Sequence, residues 1–302
     1  MFAAALCVAP LLFAADAFLP GVEVMRFPGS LTEISGLEQS TSSADVFWVH
    51  NDSGDEPRVY AVNRKGALVG TYTLAGAKAV DWEDMAIGPA PGGAGYLYMA
   101  DIGDNNAKRD SVQIYRVPEP KVDPAQAPVT ETLRDVAVYG FVYEDGPRDA
   151  ESFFVDPLTG DFYVVTKREL DGNRLYRAVA PSANAVNKLV RVGTFGFTGA
   201  TAADISSDGL QVIVRRYSSA TNPLLPSSAA ATYWRRADAS MSLIDLLRQP
   251  GTTLPLVPEA QGEAIAFSRD GRGFYSTGER GSGANTPPSP LTYYAPATAP
   301  RP

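Results

Sequence analysis

Three glutamates open apolar runs in the same way: Glu83 in "DWEDMAIG", Glu151 in "DAESFFVD" and Glu263 in "QGEAIAF". Aspartates stand two residues before the first two, Asp81 and Asp149, and Asp101, Asp104 and Asp204 follow in comparable surroundings. Carboxylates gathered at one place support two chemistries. They hold a hard cation such as calcium, which takes about six to eight oxygens, or they work as an acid and base pair on a glycosidic bond.

Basic residues recur at a second place. Lys167 and Arg168 close the run that Asp149 opens, and Arg215, Arg216 and Arg280 close similar runs. Forked guanidinium and ammonium donors suit a phosphate or carboxylate group. Other chemistries lack their residues. The chain has one histidine, His50, and one cysteine, Cys7, too few for a zinc site. It contains no Gly-x-Ser-x-Gly elbow, no Gly-x-x-x-x-Gly-Lys loop and no His-Glu-x-x-His. His50 remains as a general-base candidate or as a hydrogen-bonded rim residue.

The acids can act together only if the fold gathers them, and the pattern of strands says how. Five stretches, starting near residues 32, 81, 149, 201 and 261, each give a short apolar strand, a turn and a second strand rich in aromatic and β-branched residues. A third strand with a tyrosine follows each: Tyr60, Tyr115, Tyr176, Tyr233 and Tyr293. Fourth strands fit "LVGTYTL", "DVAVYGFVY", "KLVRVGTF" and "TTLPLV", and "GVEVMRFPG" near the start can complete the last set.

Four strands per repeat predict an all-β, five-bladed β-propeller over residues 21–302, closed by its N-terminal strand, with six blades as the alternative. "PKVDPAQAPVTET", 217–231 and 280–290 are expected to be loops, and "MSLIDLLRQP" a short helix.

Aligning the repeats puts Ser35, Glu83, Glu151, Ala203 and Glu263 at one ring position, followed by Gly36, Asp84, Ser152, Asp204 and Ala264. The hairpins return their bases to the same rim. Close carboxylates raise each other's pKa, so the rim requires cations: bound calcium, its own Lys and Arg, or both. A purely structural polar plug is the plain alternative.

Composition excludes several partners. Thirty-four acids against 26 bases give a net charge of −8, and no basic block exists to track nucleic acid. Residues 1–20 are mainly apolar and end near Ala15-Asp16-Ala17, a small-x-small pattern that predicts a cleaved signal and a secreted or periplasmic protein. No later stretch is apolar enough for a membrane span. A monomer is expected.

"DWEDMAIG", "DAESFFVDPLTGDFYVVTK" and "QGEAIAF" resemble the acidic-opening inner strands of secreted bacterial β-propellers of the phytase-like group. The resemblance implies calcium held by axial carboxylates. Asp81, Glu83, Asp149, Glu151 and Glu263 would be ligands, and Lys167, Arg168, Arg215 and Arg216 would contact phosphate. That group has six blades where this chain counts five, so the fold and a metal-prone face carry over better than a substrate.

The leading expectation is a calcium-dependent hydrolase of an anionic, phosphoester-type substrate. Glu83, Glu151, Glu263 and His50 are its candidate catalytic residues, Asp101, Asp104 and Asp204 further metal ligands, and Arg280 a further substrate contact. A metal-free glycoside hydrolase acting on an oligosaccharide and a non-enzymatic glycan- or protein-binding module are the alternatives.

Overall fold

The computed structural model describes residues 17–89, 95–218, 228–281 and 286–297. The apolar opening through residue 16, with Cys7, and the middles of the loops expected at 217–231 and 280–290 lie outside the described residues.

The chain is all-β, as expected. β1 (Val22–Arg26) is followed by a meander of β2 (Ile34–Gln39), β3 (Val46–Asn51), β4 (Arg58–Asn63) and β5 (Leu68–Leu74). Next come β6 (Trp82–Pro89), β7 (Gly95–Asp101), β8 (Val112–Pro118), β9 (Val129–Leu133) and β10 (Ala137–Tyr143). A third meander contains β11 (Ala150–Val155), β12 (Phe162–Thr166), β13 (Arg174–Ala178) and β14 (Val186–Thr194). The fourth is β15 (Ala200–Ile205), β16 (Gln211–Ser218), β17 (Ser228–Arg235) and β18 (Thr252–Pro255), with the short helix α1 (Leu243–Leu247) before its last strand. β19 (Gln261–Phe267), β20 (Phe274–Glu279) and β21 (Pro290–Tyr294) end the series, and β1 pairs antiparallel with β21 as a fourth strand.

Two pairings were not legible in the sequence. The stretch expected to be a loop at 120–132 enters β9, which lies parallel to β5 and widens the first sheet. β10 and β14 also pair in parallel, joining the second and third meanders into one sheet of 8 strands. Residues 17–20, grouped with the leader from sequence, run beside the last strand. Leu19 N donates to Ala295 O at 2.7 Å, and Phe18 meets Phe274 edge-on at 4.9 Å.

The first strand of each meander packs against the first strand of the next: β2 beside β6, then β11, β15 and β19, which returns to β2. These strands are buried along nearly their whole length, so the polar residues in them are enclosed together with the apolar ones. The apolar core is divided accordingly. Each cluster joins residues of two adjacent meanders, such as Trp48 with Met99, Tyr98 with Phe153, and Phe154 with Trp234.

Buried polar side chains bind the ring strands to one another. Glu38 Oε1 accepts from Ile87 N at 3.0 Å, and Asp84 Oδ2 from Phe153 N at 2.8 Å and Ala203 N at 3.0 Å. Asp204 Oδ2 accepts from Phe267 N at 2.6 Å, and Gln39 Oε1 from Arg269 N at 2.6 Å. Each acceptor satisfies an amide that the inner edge would otherwise leave unpaired.

Candidate metal and anion site

The register of every ring strand shifts at one place, leaving a single residue unopposed: Ser35, Glu83, Glu151, Thr201 and Glu263. A bulge of this kind breaks alternation and re-aims a side chain. In the fourth meander the bulged residue is Thr201, two residues before the expected Ala203, because Ala200 opposes Arg216 and Ala202 opposes Arg215. Asp204 is thereby equivalent to Glu38, three residues beyond the bulge. It bonds backbone amides at the other end of the ring and is not part of the acidic cluster expected from sequence. The two hydroxyl bulges behave alike: Ser35 Oγ donates to Glu83 O, and Thr201 Oγ1 to Gly262 O at 3.0 Å.

Around the glutamate bulges the carboxylates converge. Oxygens of Asp52, Asp81 and Glu83 lie within 4.8 Å of one another, and so do oxygens of Glu83, Asp149 and Glu151. Glu83 belongs to both groups. Its carboxylate accepts no hydrogen bond from any described residue, and a Cβ at Gly103 would overlap its Oε1. Glycine at that position keeps the space beside Glu83 and Asp81 open. Asp52, absent from the expected ligands, enters because it immediately follows the second strand of its hairpin. Lys167 occupies the same place in the third meander and Glu279 in the fifth. The "HND" that ends this strand was the available signal.

The bases divide into two sets. Lys167 Nζ pairs with Glu151, and Arg168 pairs through Nε with Asp149 and donates through Nη2 to Asn105 Oδ1. Arg215, Arg216 and Arg280 do not join them. Arg215 is fully buried, its Nη2 2.5 Å from Glu259 Oε2 and its Nη1 donating to Ala264 O at 3.2 Å. Arg216 lies over the Phe197 ring at 4.8 Å, and Arg280 Nε donates to Thr286 O at 2.8 Å. In a strand, adjacent side chains point to opposite faces, so Arg215 and Arg216 diverge.

The remaining expected residues frame the cluster. Asp101 accepts from Asp81 N at 3.0 Å and pairs with Arg109 Nη1 at 2.8 Å. Asp104 donates its N–H to Asp149 Oδ1 at 2.8 Å and accepts from Arg109 N at 2.7 Å. Both position the loop around Asp81 and Asp149 and stand outside the two convergent groups. Arg109, which the sequence reading missed, closes this loop. Glu263 Oε2 is buried without a hydrogen-bond partner among the described residues. His50 is completely buried, with Nδ1 2.9 Å from Asn51 O and its ring edge-on to Trp82. Burial lowers its pKa, and its Nε2 is buried without a hydrogen-bond partner among the described residues.

Electrostatics follow from this crowding. Burial, then Glu151, Asp52 and Asp81, hold Glu83 well above the usual carboxylate range. Burial raises Glu151 to about 8 against the opposing pull of Lys167, and raises Asp81 to about 6 with help from Asp52 and Asp149. Glu279 is pushed to about 7 by burial and by Glu263. Lys167 loses from burial but gains more from Glu151 and Glu263, so its charge is held more firmly than usual. Lys167 and Arg168 lie among these acids, with Arg109 beside Asp81 and Arg215 beside Glu263, and Glu83, Glu151, Asp81 and Glu279 are still held above their usual range.

The donor set is all oxygen and closely spaced, which fits a hard cation such as calcium and does not fit zinc. No helix among the described residues is long and apolar enough to cross a membrane.

No family model and no curated protein matches the chain. Among solved structures it is similar to the RRP9 WD40 repeats, at 10% identity over 92% of this chain and 99% of that one, with a TM-score of 0.44. It is similar to the Dos1 propeller, at 9% identity, 91% and 95% coverage and a TM-score of 0.39. It is also similar to Pseudomonas fluorescens PhoX in complex with vanadate, a transition state analogue, at 7% identity, 92% and 75% coverage and a TM-score of 0.44. None of these likenesses assigns the chain to a family.

Proposed function

We propose that the five meanders are the blades of a five-bladed β-propeller, and that the protein is an exported, calcium-dependent hydrolase of an anionic, phosphoester-type substrate. The closed succession of ring strands supports the blade count. The apolar opening and Ala15-Asp16-Ala17 support export, and Phe18, directly after that motif, packs on Phe274 and Tyr233.

One observation carries the functional reading: the Glu83 carboxylate is shared between two carboxylate groups and accepts no hydrogen bond from a described residue. Asp52, Asp81, Glu83, Asp149 and Glu151 would hold the cation. When bound, it supplies Lewis acidity and neutralises charge on a phosphoryl oxygen. The chain's own groups do the rest. Carboxylates must be ionised to hold a cation, so binding would strengthen as pH rises. Lys167 and Arg168, at the edge of the same cluster, orient an anionic group by charge-assisted hydrogen bonds. Asp104 and Arg109 fix the loop that carries Gly103.

The metal-free glycosidase reading receives less support. Oxygens within 4.8 Å of one another are too close for the ~6.5–9.5 Å of an inverting enzyme and nearer the ~5–5.5 Å of a retaining one, but Glu151, which would have to act there, is already paired with Lys167.

The test is metal analysis of the purified protein, followed by phosphomonoester and phosphodiester hydrolysis with and without chelator. Calcium should co-purify or bind on titration, chelation should abolish turnover, and Glu151→Gln should lower it by about two orders of magnitude or more. Full turnover in chelator, or in Glu151→Gln, overturns the proposal.

A further inference from the structure

Arg216 belongs to none of the carboxylate groups, yet it is not simply a surface residue. It lines a cavity of about 340 Å³ between the third and fourth meanders. Phe195 and Phe197, stacked 4.9 Å apart, and Trp234, 5.3 Å from Phe195, form its aromatic wall. The Arg216 guanidinium lies 4.8 Å over Phe197, and its one hydrogen bond to a described residue is a long one, 3.4 Å from Nη2 to Thr253 Oγ1. No carboxylate among the described residues pairs with it, and the adjoining stretch "SATNPLLPS", 219–227, contains no acid.

Two buried polar atoms in this cavity lack partners among the described residues, Arg216 Nε and Thr232 Oγ1. Thr232 is only 5% exposed. Arg216 as a whole is only half-buried, so the cost falls on its Nε and on the Thr232 hydroxyl, which a ligand reaching both would relieve. The Phe197 ring holds the Arg216 guanidinium beside the aromatic wall, and a guanidinium fork suits bidentate contact with an oxyanion.

We infer that this cavity is a second, cation-independent binding site for a small oxyanion of phosphate or carboxylate type, held by Arg216 and Thr232 against the aromatic wall. In a chain of net charge −8, it is a local exception that accepts anions. The site goes beyond the hydrolase reading and does not depend on it.

The test is calorimetric titration with inorganic phosphate and, separately, benzoate, in the presence of chelator. One saturable site for either anion is expected. Phosphate alone binding would name a phosphate-type ligand; benzoate alone, a carboxylate on a planar body. Arg216→Gln should weaken binding about tenfold or more. Thr232→Val, which removes only the unsatisfied hydroxyl, should weaken it while leaving the thermal midpoint unchanged or higher. Glu151→Gln should bind as the unaltered protein does. Should Arg216→Gln fail to fold, Thr232→Val decides. Absence of saturable binding by both anions, undiminished binding in the folded variants, or loss of binding in chelator or in Glu151→Gln overturns the inference.

Discussion

Glu83 and Asp84 are neighbours on β6, and their carboxylates have opposite situations. Asp84 accepts three backbone N–H groups, from Met85 at 2.9 Å, Phe153 at 2.8 Å and Ala203 at 3.0 Å. The Glu83 carboxylate accepts none from a described residue, and it faces four other acids across the bulge. Asp84 thereby holds three meanders together, and Glu83 is left open to a ligand.

Gly103 should be a sensitive test of that open space. A Cβ there overlaps Glu83 Oε1 and crowds Asp81, while the backbone itself places no demand for glycine. Gly103→Ala should weaken calcium binding about tenfold or more and change stability in chelator by less than about 1 kcal/mol. Calorimetric titration and chemical unfolding measure the two effects separately; undiminished calcium affinity would contradict the assigned role.

Lys167 neutralises Glu151 in a buried setting. Removing it as Lys167→Met leaves a buried acid without its partner and should cost about 3–5 kcal/mol in chelator. Adding Glu151→Gln should recover most of the loss. Denaturant unfolding of the two single variants and the double variant checks this; a double variant no more stable than Lys167→Met would show that the pair is not coupled.

Arg215 is expected to govern stability. Arg215→Met strands Glu259 in the interior and should cost about 3–5 kcal/mol. KM should change little in any variant that remains folded, whereas Arg168→Gln should raise KM. Steady-state kinetics alongside thermal unfolding distinguishes the two arginines, and a large KM effect confined to Arg215→Met would reverse the assignment.

The far end of the ring sets a pH dependence. Burial raises Asp204 to about 7, and burial followed by Asp204 and Asp84 raises Glu38 well above its usual value. The folded state therefore binds protons more tightly than the unfolded chain. Their contribution is complete below the ordinary carboxylate pKa of about 4 and is lost as pH rises through about 7. In chelator, the thermal midpoint should fall between pH 5 and pH 8, and Asp204→Asn should flatten the fall. A midpoint that rises across this range would contradict the direction.

Much of the architecture was legible because repetition is a property of sequence. The five hairpins, their tyrosine-bearing third strands and the fourth strands each depend on local apolar pattern and turn chemistry, and β1 could be matched to the incomplete last set by elimination. β9 escaped because its stretch "VTETL" is half polar and is held by parallel pairing to β5, a contact that no local pattern records.

The chain alone determined which chemistry was available: 34 acids against 26 bases, one histidine and no nucleophile motif. Tertiary structure alone decided which of those groups meet. Strand register moved the fourth bulge to Thr201 and sent Asp204 to the far end, and alternation turned Arg215 inward and Arg216 toward its own cavity. Hairpin closure brought Asp52 beside Asp81 and Glu83. The physical reason is that a side chain's direction depends on pairing with another strand. A shift of a single residue reverses it while leaving composition and local pattern unchanged.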